Sequence, residues 1–229
     1  SFSGISLPDQ SYYTDREELR DDFLNMIKMQ MQLFSIEQDC DFIWDLEKTI
    51  ASFHYTRAEK REPLKTYHPT TMYFVKEKMT PYFDSMSTLL PEEYHDIVLN
   101  NHQILDAYKK IIEEYSLDQL KIWFVWQVVD SLASYTTGQL YMNHFAFFNT
   151  KLNGIKQPKS LEKRGAGYAE SYLSDIFTKM YLDNHVDKDL KNNFKGFVEE
   201  IRGTLLKKLE KASWMCDETR EKALDKLVS

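Results

Sequence analysis

The chain has 229 residues, enough for one large domain or two small ones with a sizeable core, and carries a formal charge of −7. Its 29 Lys and Arg are scattered among 36 acids, which excludes the concentrated basic footprint of a nucleic-acid binder, and no apolar run approaches the roughly 18 residues of a membrane span or reads as a signal peptide. With only 7 Gly and 6 Pro but 14 Phe, 14 Tyr and 4 Trp, the composition excludes disorder and favours long helices packed through aromatic side chains.

The chain opens with G-I-S-L-P-D-Q-S-Y-Y (Gly4 to Tyr13). From Asp15 to Phe34, apolar residues at Leu19, Phe23, Met26, Ile27, Met31 and Phe34 follow the spacing of an amphipathic helix, with Thr14 and Glu17 as a capping box. A second helix carries Ile36, Cys40, Ile43, Leu46, Ile50 and Phe53 on one face, is expected to hold Glu47 and Lys48 on its polar face, and ends near Tyr55. R-A-E-K-R-E-P (Arg57 to Pro63) and Y-H-P-T-T (Tyr67 to Thr71) form a loop, broken by Pro63 and Pro69, leading to a short helix capped by Thr70 or Thr71. Pro81 and Pro91 punctuate the next part. H-D-I-V-L (His95 to Leu99) predicts an isolated strand, and Asn100 or Asn101 caps a helix through Tyr115.

Beyond Asp118 comes the most apolar stretch, L-K-I-W-F-V-W-Q-V-V-D-S-L-A (Leu120 to Ala133). Apolar residues surround most of its circumference, which predicts a helix buried on nearly all sides and continuing past Phe148. Leu152 to Ser160 is a loop in which Gly154 and Pro158 end one helix and Ser160 starts the next. One helix then runs to about Asn184 despite Gly165 and Gly167. Another spans Asp187 to Ala212, with Leu190, Phe194, Phe197, Ile201, Leu205 and Leu209 on one face. Asp217 opens a last helix through Leu227 that is cut off at Ser229, so the chain is expected to be a fragment. The fold class is all-α: a multi-helix lobe of long packed helices with at most one or two short strands.

No constellation in the chain supports chemistry by itself. His95 and His102, with Glu92, Glu93 and Asp106 nearby, suggest a carboxylate–histidine metal cluster, but helical zinc sites use closer spacing, as in H-E-x-x-H, and that motif is absent. His54, His68, His144 and His185 are dispersed singly. Glu113-Glu114 and Glu199-Glu200 point about 100 degrees apart on a helix and do not converge on one substrate atom. No G-x-S-x-G elbow, P-loop or G-x-G-x-x-G is present. Trp123 to Trp126 reads as core before it reads as a ligand pocket. Arg57, Lys60 and Arg61 with Glu59 and Glu62 read as local ion pairs before a peptide-carboxylate site. Cys40 and Cys216 are expected unbridged, in a reducing compartment. No catalytic, cofactor-binding or metal-binding residue is therefore assigned, and no substrate-binding residue is identified.

The segments are more telling in their order. G-I-S-L-P-D-Q-S-Y-Y, L-E-K-T-I-A-S-F-H (Leu46 to His54), R-A-E-K-R-E-P, K-T-Y-H-P-T-T, L-K-I-W-F-V-W-Q-V-V-D-S-L-A, F-F-N-T-K-L-N-G and W-M-C-D-E-T-R-E-K-A follow one another. The chain resembles the N-terminal region of the neprilysin and endothelin-converting-enzyme family of zinc metalloendopeptidases, over essentially all of its length.

The resemblance implies that residues 1–229 are a fragment of the helical N-terminal domain, the second lobe, with the catalytic domain and its H-E-x-x-H helix outside the chain. In such an enzyme a zinc held by two His and a Glu polarises the scissile carbonyl, and the Glu of the motif is the general base. The lobe encloses a chamber that admits size-limited peptides, so the implied partners are peptide substrates and the catalytic lobe of the same polypeptide. No nucleic acid or membrane contact is expected of this segment. Animal members carry a Trp and a Cys shortly after the position of Gly154, whereas P-K-S-L-E-K-R-G (Pro158 to Gly165) has neither, which favours a bacterial type, cytoplasmic or exported. The alternatives are a free-standing helical interaction module, which should be monodisperse where a lobe with a missing partner exposes an apolar patch, and a metalloenzyme built on His95 and His102.

Overall fold

A computed structural model of the chain describes residues 4–80, 96–187 and 189–228. It forms two compact units, Ser1–Pro158 and Lys159–Ser229, mainly helical as expected. Among the described residues the only sheet is a single antiparallel pair of strands.

The first unit is organised around α2 (Arg20–Gln32), whose three-to-four spacing buries Phe23, Leu24, Met26, Ile27 and Met31. The next helix, α3 (Phe42–Ser52), buries Ile43, Trp44, Leu46 and Ile50 by the same periodicity. Phe23 is the centre of the packing. Its ring lies 6.0 Å from Trp44, 6.1 Å from Trp126 and 5.6 Å from Phe147, so three other segments meet on one side chain. Each such aromatic or aliphatic side chain contributes roughly 1.5–3 kcal/mol on full burial.

Before α2, the chain makes a short α1 (Ser11–Thr14) and a 3-10 turn at Glu17–Leu19. The expected Thr14–Glu17 capping box is not formed: Thr14 closes α1, its hydroxyl 3.4 Å from the Ser11 carbonyl. Neither the 3-10 turn nor α2 starts on a side-chain cap; ahead of α1, Asp9 accepts bonds from the Ser11 amide and hydroxyl at 2.9 and 2.5 Å. Ile36 and Cys40 lie ahead of α3, in the connecting loop, where Cys40 is nonetheless buried.

After α3, the charged stretch holds a 3-10 turn and α4 (Pro63–Thr66). The strand β1 (His68–Thr71), not expected from the sequence, pairs with the expected strand β2 (Asp96–Leu99). Their register runs from His68 opposite Leu99 to Thr71 opposite Asp96. Thr71 caps α5 (Met72–Met79), accepting from the Phe74 amide at 3.3 Å. Pro81, Pro91 and His95 lie outside the described residues. Asn101 accepts from the Gln103 amide at 3.0 Å at the start of α6 (Gln103–Glu114), which buries Ala107 and Ile111.

The apolar helix α7 (Leu117–Ala133) starts on a complete capping box: Ser116 accepts from the Gln119 amide at 3.3 Å, and Gln119 accepts from the Ser116 amide at 3.0 Å. Replacing Ser116 by Ala is expected to lower stability by about 1 kcal/mol, read as a fall in the thermal midpoint of a few degrees.

Contrary to expectation, α7 is not buried on nearly all sides. Trp123, Trp126, Val129 and Ala133 form its inner stripe, while Phe124 is 60% and Leu132 53% exposed. Composition alone registers apolar side chains all round a helix; it does not register whether a neighbour covers both faces. Nor does the helix run on past Phe148. Thr137 is extended and Gly138 has φ +68°, a left-handed conformation that suits glycine. The chain restarts as α8 (Gly138–His144) and widens into a π-helical segment, Phe145–Lys151. The loop after it ends as expected, with Gly154 at φ +71°.

The second unit comprises α9 (Leu161–Tyr172), capped by Ser160, then α10 (Ser174–His185), α11 (Leu190–Glu210) and α12 (Asp217–Val228). The single helix expected from Ser160 to Asn184 is broken at Leu173 (φ −118°, ψ 32°), with no Gly or Pro to announce it. Arg220 ties α12 to the end of α11, donating to the carbonyls of Ala212 and Met215 at 3.0 and 2.9 Å. Among the described residues of this unit only Ala212 is buried, and Phe194, Phe197, Ile201 and Leu205 of α11 are exposed.

Candidate functional site

The strongest polar constellation lies inside the first unit, and it is built from the segments that carry the family resemblance. Glu47 of α3 is fully buried. Its Oε2 accepts from the Ser6 amide at 2.9 Å and from Tyr13 Oη at 2.5 Å. Its Oε1 accepts from Ser6 Oγ at 2.8 Å and Gln127 Nε2 at 2.7 Å. Ser6 Oγ in turn receives Trp126 Nε1 at 2.9 Å and Gln127 Nε2 at 3.1 Å, and Tyr13 Oη receives the Leu7 amide at 3.1 Å. The irregular segment Gly4–Asp9 is thereby bonded to α1, α3 and α7 at once. Gly4, at φ +72°, fits where a Cβ would lie 3.1 Å from Tyr108 Oη and 3.3 Å from Ile50.

Glu47 was expected on the polar face of its helix, and the structure corrects this. It stands four residues after Ile43 and three before Ile50, on the buried stripe. One turn along α7 from Gln127, Asp130 continues the polar seam and lies 3.5 Å from His144 Nε2, both side chains largely buried. His144 rests on Phe148, with ring centroids 4.4 Å apart.

None of the groups bonded to Glu47 carries a positive charge. Burial therefore drives its carboxyl group up to about 7, against the pull of hydrogen bonds from Tyr13 and Ser6, and Asp130 adds to the rise. Burial raises Tyr13 well above the usual phenol range, with Glu47 reinforcing it. Asp130 is also raised by burial, with His144 opposing. Each donor around Glu47 is used and aimed at an acceptor, so the arrangement holds a structure together.

The other sequence candidates are spread through the fold. His102 precedes α6 and packs edge-on against His68, ring centroids 4.7 Å apart, while His95, Glu92 and Glu93 lie outside the described residues. His68 Nε2 is 2.7 Å from the Lys65 carbonyl and 3.4 Å from Tyr55 Oη. Asp106 pairs with Lys78 at 3.2 Å. His54 is half-buried beyond the end of α3, and His185 ends α10 beside Tyr181. Glu114 meets Lys110 at 3.8 Å and Glu199 meets Arg202 at 3.6 Å, with Glu113 and Glu200 exposed. Trp123 and Trp126 are core.

Arg57 reaches across to Asp9, and Lys65 takes Glu59 at 3.2 Å and Glu62 at 3.8 Å. Lys60 and Arg61 lie in the same 3-10 turn as Glu59. Bonds from the Thr56 amide and hydroxyl, with Lys65, hold Glu59 down to about 2. Burial works against ionisation of Asp9, but the bonds from Ser11 and Arg57 keep its carboxyl group below the ordinary value. Cys40, buried, and Cys216, exposed, are both free thiols. Among the described residues no three His, Cys, Asp or Glu side chains converge where they could hold a metal ion, and no helix is long and apolar enough to cross a membrane.

The model of peptidase family M13, for the N-terminal region, matches residues 1–229. The chain is 22% identical over 237 aligned positions to a neutral endopeptidase of Lactococcus lactis, covering 98% of this chain and 37% of that protein. It is 25% identical to Neprilysin-1 of Trittame loki, over 84% of this chain and 28% of that one. In three dimensions it is similar to the zinc metalloprotease Zmp1 of Mycobacterium tuberculosis in complex with inhibitor, with a TM-score of 0.87 at 22% identity, over 98% of this chain and 36% of that one. PepO from Lactobacillus rhamnosis HN001 gives 0.80 at 17% identity. The chain thus spans between 28% and 37% of the length of these proteins. The Lactococcus and Mycobacterium relatives agree with the bacterial type read from Pro158 to Gly165.

Proposed function

Because the chain belongs to peptidase family M13 over residues 1–229, we propose that it is the helical N-terminal lobe of a zinc metalloendopeptidase, restricting access by peptide size and leaving bond cleavage to a catalytic domain in the same polypeptide. The observation that carries this reading is the family match over the whole chain. The side chains agree with it. The most elaborate polar site is spent on joining Ser6, Tyr13, Glu47 and Gln127 to one another. The described residues do not fit a zinc site, so in this reading the metal belongs to the catalytic domain.

The apolar face of α11 supports the same reading. Phe194, at 63% exposure, Phe197, Ile201 and Leu205 make a stripe that needs a covering partner, and in this proposal other parts of the polypeptide provide it.

The test compares the intact protein with residues 1–229 alone. The intact protein is expected to cleave short unstructured peptides, to lose that activity to a zinc chelator, and to show kcat/KM falling as substrates lengthen; the 229-residue chain is expected to cleave none. Chelator-sensitive hydrolysis by the short chain, or equal rates on a small peptide and a large unfolded protein, would sink the reading.

A further inference from the structure

Between α2 and the π-helical segment lies a groove of about 230 Å³. Its apolar lining is Met26 and Phe147, both buried, together with Met29, which is 49% exposed. It is open because residue 146 is alanine: Ala146 is exposed where it lines the groove, and a larger side chain there would fill the space. π-Helical turns are rare and recur at functional sites. In this one Phe147 turns inward, its ring 5.6 Å from Phe23, while Ala146 stays at the surface.

The groove also holds a hydrogen-bond donor that the fold does not use. Asn143 lines it and is only 7% exposed. Its Oδ1 accepts from Gln139 Nε2 at 2.5 Å, while its Nδ2 has no acceptor among the described residues. A nearly buried donor left without an acceptor is costly, so this nitrogen is satisfied only from the groove. Asn25 of α2 lines the same groove, and its side chain has no hydrogen-bond partner among the described residues. The charged groups of the lining, Asp22 and Lys151, pair with each other.

These features select a ligand. Methionine thioethers beside a phenyl ring accept apolar side chains of varied shape. Carboxamides both donate to and accept from a peptide main chain. The paired charges give no hold to a lone ionic group, and the volume is below the roughly 300–1,000 Å³ of sites that enclose a whole small molecule. We propose that this groove seats one apolar residue of an extended peptide, its side chain on Met26, Met29 and Phe147 and its main-chain carbonyl bonded by Asn143 Nδ2. Asn25 is then placed to bond the same main chain. The inference rests on the proposed peptidase role for the presence of peptides at this lobe.

The test uses the intact protein, stripped of zinc by a chelator so that peptides are not cut, and a short peptide of Gly and Ser with a single benzoylphenylalanine at its centre. On irradiation the benzophenone inserts into nearby C–H bonds, those of methionine above all, and mass spectrometry locates the adduct. Below saturation the adduct is expected on Met26 or Met29, and its yield should fall about tenfold in Ala146→Trp, the loss expected when one apolar side chain is no longer buried. Asn143→Asp keeps the acceptor for Gln139, removes the donor, and should lower the yield as well; if that variant does not fold, Ala146→Trp decides alone. Adducts only outside the groove, or an unchanged yield in either folded variant, overturn the proposal. So does a thermal midpoint lowered by many degrees in Ala146→Trp, the sign that another part of the polypeptide fills the groove. Cleavage by the zinc-loaded protein without an adduct on Met26 or Met29 sinks the groove alone, and an adduct there without cleavage sinks the peptidase reading alone.

Discussion

Trp44→Ala is expected to destabilise the first unit by about 4 kcal/mol, in the range for a large aromatic side chain removed from a core, with a fall of roughly 8–16 °C in its calorimetric midpoint. Trp44 is almost wholly buried, its ring 5.1 Å from Tyr13 and 6.0 Å edge-on from Phe23. The cavity cannot close cheaply. Phe23 is held from its other sides by Trp126 and Phe147, and Tyr13 is held by its bond to Glu47, so neither ring is free to fall inward. Trp44→Phe keeps a ring in the site and should cost less than half as much. Phe124→Ala, on the exposed side of α7, is the control and should stay within about 0.5 kcal/mol. A Trp44→Ala loss below about 1 kcal/mol would show that the aromatic cluster is not close-packed.

The parts of this fold that were legible in the sequence are those where one periodic pattern decides the outcome. Helices α2, α3, α6 and α11 follow their apolar spacing, and Ser160 and Thr71 start helices as their side chains require. What stayed hidden depends on contacts between segments distant along the chain. Glu47 shows the distinction. Its spacing from Ile43 and Ile50 put it on the inner stripe, but a carboxylate there is sensible only once Ser6, Tyr13 and Gln127 are known to meet it. The exposed side of α7 is the converse case, since apolar residues all round a helix do not say whether both faces are covered.

The ordered segments that marked the family were visible as strings, while their meaning was not. Ser6 and Tyr13 of the first, Glu47 of the second, and Trp126 and Gln127 of the fifth join one network. Asp9 of the first segment pairs with Arg57 of the third. These residues build one another's environment, so the ordered segments carry a structural meaning that separate strings do not show.

Glu47→Ala is expected to cost about as much as the loss of Trp44, and the way its cost changes with pH is more informative than its size. The substitution leaves the amide and hydroxyl of Ser6, the phenol of Tyr13 and the amide of Gln127 without their acceptor. At about 1–3 kcal/mol for each buried donor not rescued by water, a net loss near 4 kcal/mol follows at mildly acid pH. Because the folded-state value of Glu47 is raised, to about 7, its protonation adds stability that is fully present below the unfolded value and is lost as pH rises through about 7. The wild type therefore gives up stability on going from pH 5 to pH 9, by something on the order of 3 kcal/mol at most, whereas the alanine variant lacks that titration. The gap between the two should narrow toward alkaline pH when both are followed by urea unfolding across that range. A gap that widens instead would mean that the hydrogen bonds donated by Ser6, Tyr13 and Gln127 outweigh the burial of the charge, and that Glu47 holds the segment as a carboxylate.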